Sequence, residues 1–111
     1  MTVKDLQEKL NLKILVGDEN SLQNEIEGCY CGDLLSWVMS RAQENDVWLT
    51  VMGNRNTIAV ASLAGVACIV LCEESELDDD AKERAEQQGV AVLSATDNIY
   101  RTAVNISLLI G

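Results

Sequence analysis

The sequence predicts an α/β protein, a three-layer α/β/α sandwich with a largely parallel sheet of about five strands. Segments with strand character alternate with segments of helical periodicity, and the links between them are short. The run at 66–72 is apolar throughout, which is typical of a strand inside a parallel sheet. With 111 residues and 48% hydrophobic content, the chain is long enough for one sizeable core and too short for two. We therefore expect a single domain over residues 1–111.

The first helix is predicted to begin after Thr2. Thr2 and Asp5 have the spacing of a capping box, and Leu6 and Leu10 follow on one helical face. The helix should lead into a strand at 12–16, where apolar residues dominate.

The polar stretch 17–24 is predicted to be irregular, and a second extended segment is expected at 25–31. The side chain of Asp33 can then cap a helix over 34–44. Residues four apart in that helix share an apolar face, which predicts that it packs on the sheet.

The middle of the chain predicts a strand at 47–52, a loop, and a helix at 57–64. This helix is apolar almost all round, so we expect it to be buried on more than one side. Gly65 should end it, and the apolar strand at 66–72 follows.

The last part of the chain predicts a helix at 77–88, a strand at 90–93 and a final helix at 97–109. Gly89 should end the first of these helices. The final helix carries a broad apolar stripe.

Composition excludes several classes of function. The chain has 18 acidic and 8 basic residues, a net charge of -10 and a pI of about 4.2, so we expect neither nucleic acid nor an anionic membrane as a partner. It has no histidine, which excludes Ser-His and Cys-His nucleophile pairs and imidazole metal ligands. No apolar run approaches the roughly 20 residues needed to span a bilayer, and we expect a cytoplasmic protein.

A ligand site is predicted where the carboxyl ends of the parallel strands meet, because open α/β sheets bind ligands there. This edge should carry the turn at 31–33, the loop at 53–57, Cys72 and the segment 94–97. Arg55 and the N–H groups of the following helix could dock a small anion. The alternative is a tight strand-to-helix turn with Asn56 or Thr57 as the cap. The candidate ligand-binding residues are Gly32, Asp33, Gly53, Asn54, Arg55, Asn56 and Thr57.

The four cysteines allow a second hypothesis. Cys29 and Cys31 should point to one face of a strand, about 6 to 7 Å apart. Cys68 and Cys72 should lie about 13 Å apart, too far to hold one zinc ion or one small iron-sulfur cluster together. A metal site at Cys29, Cys31 and Cys72 remains open, and the alternative is that the thiols are inert and buried.

Two further features are interpreted as structural. The acidic run over 73–80 lacks the spacing of a calcium loop, and its carboxylates favour the positive end of a helix. Trp37 and Trp48 are expected to pack in the core or at a subunit contact.

The stretch 30–89 resembles the DRTGG domain family. The similar segments are GDLLS at 32–36, WLTV at 48–51, and GNRNTIAVA at 53–61, which is the loop and buried helix that give the family its name. In the naming loop Gly53 and Arg55 match, whereas Asn54 stands in place of Asp and 56–57 in place of Thr-Gly-Gly.

This resemblance implies a regulatory domain similar in fold to the amino-terminal domain of bacterial HPr kinase/phosphorylase. Related domains occur attached to phosphotransacetylase and to CBS-domain pyrophosphatases, and stand-alone members resemble proteins found beside iron-sulfur hydrogenases and NADH-dehydrogenase-like subunits. The chain has no nucleotide loop and no catalytic lysine motif, so no catalytic residue is assigned and we expect no enzyme.

Two functional hypotheses follow. The first is a non-catalytic regulatory or ligand-sensing module that binds a small anionic or nucleotide-like ligand. It would be a homodimer, because the helices at 57–64 and 97–109 carry more apolar surface than a small domain easily covers. The alternative, which the resemblance implies, is a redox accessory protein associated with iron-sulfur hydrogenase or NADH-dehydrogenase-like complexes, with a thiol, metal or iron-sulfur site at Cys29 and Cys31. No cofactor is expected under the first hypothesis.

Overall fold

A computed structural model describes residues 1–110 of the chain. The helices are α1 (Val3–Leu10), α2 (Glu19–Leu22), α3 (Leu35–Arg41), α4 (Arg55–Ala64), α5 (Asp79–Gln88) and α6 (Ile99–Ile110). The strands are β1 (Lys13–Val16), β2 (Gly28–Cys31), β3 (Asp46–Thr50), β4 (Cys68–Leu71) and β5 (Val92–Ser94).

The five strands form one mostly parallel sheet in the order β1-β5-β4-β3-β2. Strands β2 to β5 are parallel to one another, and β1 joins the edge antiparallel to β5. The predicted fold class is therefore confirmed. Because β1 runs in the opposite direction, its first residue, Lys13, pairs with Ser94 at the carboxyl end of β5.

The two faces of the sheet are covered by different helices. Successive side chains of a strand point to opposite faces, so Val47 and Leu49 lie on one face and Trp48 on the other. The first face packs against α1 and α6, and the second packs against α3, α4 and α5. Representative contacts are Leu6 and Ile106 on the first face, and Val38, Ile58 and Ala85 on the second.

Helix α3 is shorter than the predicted 34–44, and Asp33 does not cap it. No side chain caps the α3 N-terminus. The Asp33 carboxylate instead accepts hydrogen bonds from the Thr50 hydroxyl at 2.6 Å and the Val51 N–H at 3.0 Å. The expected cap was wrong because a partner distant in the sequence competes for the carboxylate.

Helix α4 begins earlier than predicted. Its cap is Asn54, whose side-chain oxygen accepts from the N–H and the hydroxyl of Thr57, at 3.0 and 3.2 Å. The expectation that Asn56 or Thr57 would cap this turn was therefore wrong. Gly65 and Gly89 end α4 and α5 in the left-handed conformation, as predicted.

The polar stretch 17–24 is not wholly irregular, because it contains α2. Asp18 and Ser21 form a reciprocal capping box around this single turn. The capping box predicted at Thr2 and Asp5 is confirmed.

The two tryptophans have different environments. Trp48 is fully buried and donates from Nε1 to the Gly32 carbonyl at 2.8 Å. Trp37 does not join the core: it is 50% exposed, and the Arg41 guanidinium lies 3.7 Å from its ring centre. No helix within residues 1–110 has the length and apolar character to cross a membrane.

Candidate functional site

A cleft of about 760 Å³ opens at the carboxyl ends of β4 and β5. Three loop segments form most of its wall: 10–13 between α1 and β1, 74–77 between β4 and α5, and 94–97 between β5 and α6. Its volume is within the range of small-molecule sites. Open α/β sheets bind ligands at this edge, so the cleft is the candidate functional site.

The wall contributed by the β4–α5 loop has an unusual backbone. Glu73 and Glu74 both have positive φ angles, of 59° and 52°, although neither is glycine. Such a conformation costs roughly 1–2 kcal/mol per residue. Their N–H groups donate to the carbonyls of Asp97 and Ala95, each at 2.9 Å. These two hydrogen bonds join the β4–α5 loop to the β5–α6 loop, so the two walls are held together.

Gly53 supports the same wall from the outside. A Cβ at this position would overlap the Glu76 carbonyl oxygen and lie 3.0 Å from the Leu77 Cα. The Asp78 N–H also donates to the Gly53 carbonyl at 2.8 Å. The glycine is therefore required for close contact between two segments of the chain.

The cleft carries charges of both signs. Lys13 and Lys82 line it, and no carboxylate oxygen among residues 1–110 lies within 4.0 Å of either ammonium group. Both ammonium groups are therefore available to an anionic ligand. The cleft is also lined by four carboxylates, which favour hydrogen-bond donors on a ligand: Glu74, Glu76, Asp79 and Asp97.

The predicted ligand residues lie on the same edge of the sheet but beside this cleft. Asp33 and Arg55 follow the carboxyl ends of neighbouring parallel strands, β2 and β3. Asp33 is engaged by Thr50, and Arg55 is exposed. None of the seven predicted residues lines the cleft, namely Gly32, Asp33, Gly53, Asn54, Arg55, Asn56 and Thr57.

The predicted segment 94–97 does line the cleft, whereas the two lysines of the cleft, Lys13 and Lys82, were not predicted as site residues. Lys13 reaches the carboxyl edge of the sheet only because β1 runs antiparallel to β5. Lys82 lies on α5, which packs against one face of the sheet. Strand-end position alone could identify 94–97. No local signal in the sequence marks either lysine.

The cysteines divide into two pairs. Cys68 and Cys72 are buried, and burial raises the pKa of the Cys68 thiol to about 12. Cys29 and Cys31 are exposed on β2. Within residues 1–110 no group of three or more acidic, cysteine or histidine side chains is arranged to hold a metal ion. The three thiols of Cys29, Cys31 and Cys72 do not form such a group in this structure.

The family of the protein follows from comparison with known sequences. The model of the DRTGG domain matches residues 5–109, and the chain belongs to this family. No curated protein matches the sequence.

The fold is also similar to a solved structure. That structure contains the CBS and DRTGG domains of the regulatory region of Clostridium perfringens pyrophosphatase, complexed with its activator, diadenosine tetraphosphate. The TM-score is 0.74 at 9% sequence identity, over 98% of this chain and 46% of the other. The present chain thus spans less than half the length of that regulatory region. The solved structure is of a regulatory region, and neither comparison supports the redox-accessory hypothesis.

Proposed function

We propose that this chain is a non-catalytic, ligand-sensing regulatory module that binds a small phosphorylated or nucleotide-like ligand in the cleft. The main support is the position of Lys13 and Lys82, two ammonium groups without carboxylate partners among residues 1–110, in a cleft at the carboxyl edge of the sheet. Phosphate oxygens are strong acceptors for such groups.

The carboxylates of the cleft narrow the class of ligand. A ligand that is only anionic would be repelled by Glu74 and Asp97 as well as attracted by the lysines. A nucleotide carries phosphates that can contact the lysines and amino or hydroxyl groups that can donate to the carboxylates. The structurally similar pyrophosphatase region binds diadenosine tetraphosphate, which has both phosphates and groups that can donate hydrogen bonds.

The proposal is tested by calorimetric titration with inorganic phosphate, acetyl phosphate, AMP, ATP and diadenosine tetraphosphate. We expect at least one nucleotide to bind, and Lys13→Ala/Lys82→Ala to weaken it by about tenfold or more. Lys9→Ala is the matched control, because Lys9 is exposed on α1 and does not line the cleft.

Other results would contradict the proposal. If no compound binds, the sensing role fails. If Arg55→Ala abolishes binding while the lysine variant does not, the ligand lies at the turn 53–57 and the cleft is not the site.

We further propose that the regulatory module is a homodimer. Helices α4 and α6 each expose a large apolar side chain, with Leu63 74% and Leu108 79% exposed. The two helices lie on opposite faces of the sheet, so an isologous interface between copies would bury one of these side chains, and the double variant changes both. Sedimentation analysis of the wild type and of Leu63→Glu/Leu108→Glu tests it. A wild-type monomer at micromolar concentration would contradict the proposal.

A further inference from the structure

The thiols of Cys29 and Cys31 form a pair that the ligand cleft does not use. Both residues are exposed, and they are two positions apart on β2, so their side chains project from the same face of the strand. Strand β2 lies at the edge of the sheet and is bonded only to β3 within residues 1–110. The pair is therefore accessible from solvent.

The two thiols also interact with each other. The neighbouring Cys29 thiol lowers the pKa of Cys31 to about 7, whereas the neighbouring Cys31 and burial raise the pKa of Cys29. A thiolate is the form of cysteine that binds metal ions. The Cys31 thiol therefore ionises before the Cys29 thiol, and a metal ion can displace the proton that Cys29 keeps.

The number of ligands determines which metal fits. Structural zinc sites take four ligands, and iron-sulfur clusters are held by four cysteines. The other two cysteines are buried, and no larger ligand group exists within residues 1–110. Soft thiolates select monovalent copper, which is stable with two thiolates in a linear arrangement.

We propose that Cys29 and Cys31 form a two-thiolate site for a soft monovalent metal ion of the copper(I) class. The ion bonds to both sulfurs and displaces the proton of the Cys29 thiol to solvent, with no change in oxidation state. The nearby carboxylate of Asp46 and the net charge of -10 favour the approach of a cation.

The test is anaerobic titration of the reduced chain with copper(I) in competition with a chromophoric copper(I) chelator. We expect one ion per chain, and an X-ray absorption spectrum with two sulfur neighbours. Cys29→Ser and Cys31→Ser should each weaken binding by more than about tenfold. Cys68→Ala is the matched control and should bind as the wild type does, because its thiol is fully buried in the core.

A second measurement reports how accessible the four thiols are in the folded protein. Ellman's reagent should modify two of the four thiols rapidly, and prior addition of copper(I) should protect both. The proposal is overturned if the wild type does not compete with the chelator. It is also overturned if either single serine variant retains wild-type affinity, or if the spectrum shows three or four sulfur neighbours. None of these results depends on whether a nucleotide binds in the cleft.

Discussion

Gly53 lies directly against the backbone of Glu76, so the turn that carries Arg55 supports the wall of the cleft. The Asp78 N–H donates to the Gly53 carbonyl at 2.8 Å and holds the two segments together. The loop after β3 and the loop after β4 therefore form one unit. A change at Gly53 should reach the cleft although the residue does not line it.

Gly53→Ala should destabilise the protein by about 1–3 kcal/mol, because the added methyl group meets backbone that cannot move aside cheaply. Urea unfolding measures the loss. Gly32→Ala is the matched control, since its Cβ would meet only the Tyr30 ring at an ordinary contact distance of 3.4 Å. Equal stability of the two variants would contradict the close approach.

The hydrogen bond between the Asp33 carboxylate and the Thr50 hydroxyl should be measurable as an interaction free energy between the two residues. A double-mutant cycle with Asp33→Ala and Thr50→Val should give an interaction free energy of about 0.5–3 kcal/mol, because each variant removes one partner of a 2.6 Å hydrogen bond. In the control cycle Asp80→Ala replaces Asp33→Ala. Asp80 lies at the start of α5, so its coupling to Thr50 should be near zero. An interaction free energy near zero in both cycles would contradict a stabilising hydrogen bond between Asp33, after β2, and Thr50 at the end of β3.

The capping box of α1 should make stability depend on pH. Hydrogen bonds from Thr2, chiefly from its backbone N–H, lower the pKa of Asp5 in the folded state. The stabilisation is therefore present above the unfolded value of about 3.9 and is lost as pH falls through the lower folded value. Asp5→Ala should cost more stability at pH 7 than near pH 3, as measured by urea unfolding.

Asp80→Ala controls for the removal of one negative charge from a chain that is already strongly acidic. The difference between the costs at the two pH values should be larger for Asp5→Ala than for this control. If Asp5→Ala costs the same at both pH values, the carboxylate does not contribute as an acceptor in the box.

The same substitution should cost much more stability at Trp48 than at Trp37. Trp48→Phe removes a buried N–H that donates to Gly32 and leaves that carbonyl without this donor, at a cost of about 1–3 kcal/mol. Trp37→Phe should change stability by less than about 0.5 kcal/mol, because Trp37 is half exposed on α3. Thermal or urea unfolding measures both. A larger loss for Trp37 would contradict this assignment of the core.

Much of the fold could be predicted, because the signals that define it are local. The capping box at Thr2 and Asp5, the glycines that end α4 and α5, and the apolar run of β4 each act within a few residues. The predicted ends of elements were less accurate. The cap of α3 was misassigned because the Asp33 carboxylate finds its partners 17 and 18 residues away.

The site could be predicted only in part. Strand ends of a parallel sheet share one edge, so 94–97 was placed correctly on the rim. The cleft itself depends on the antiparallel β1, on the paired loops after β4 and β5, and on the wall supported by Gly53.

Local patterns predict the α/β class, the order of the elements apart from α2, and the burial of both faces of the sheet, since hydrophobic periodicity and capping chemistry depend on residues close together in the chain. Long-range packing places Lys13 and Lys82 in one cleft and leaves Cys29 and Cys31 exposed while the other cysteines are buried. These relationships join residues far apart in the chain. Packing and strand direction bring them together, and no short-range pattern encodes them.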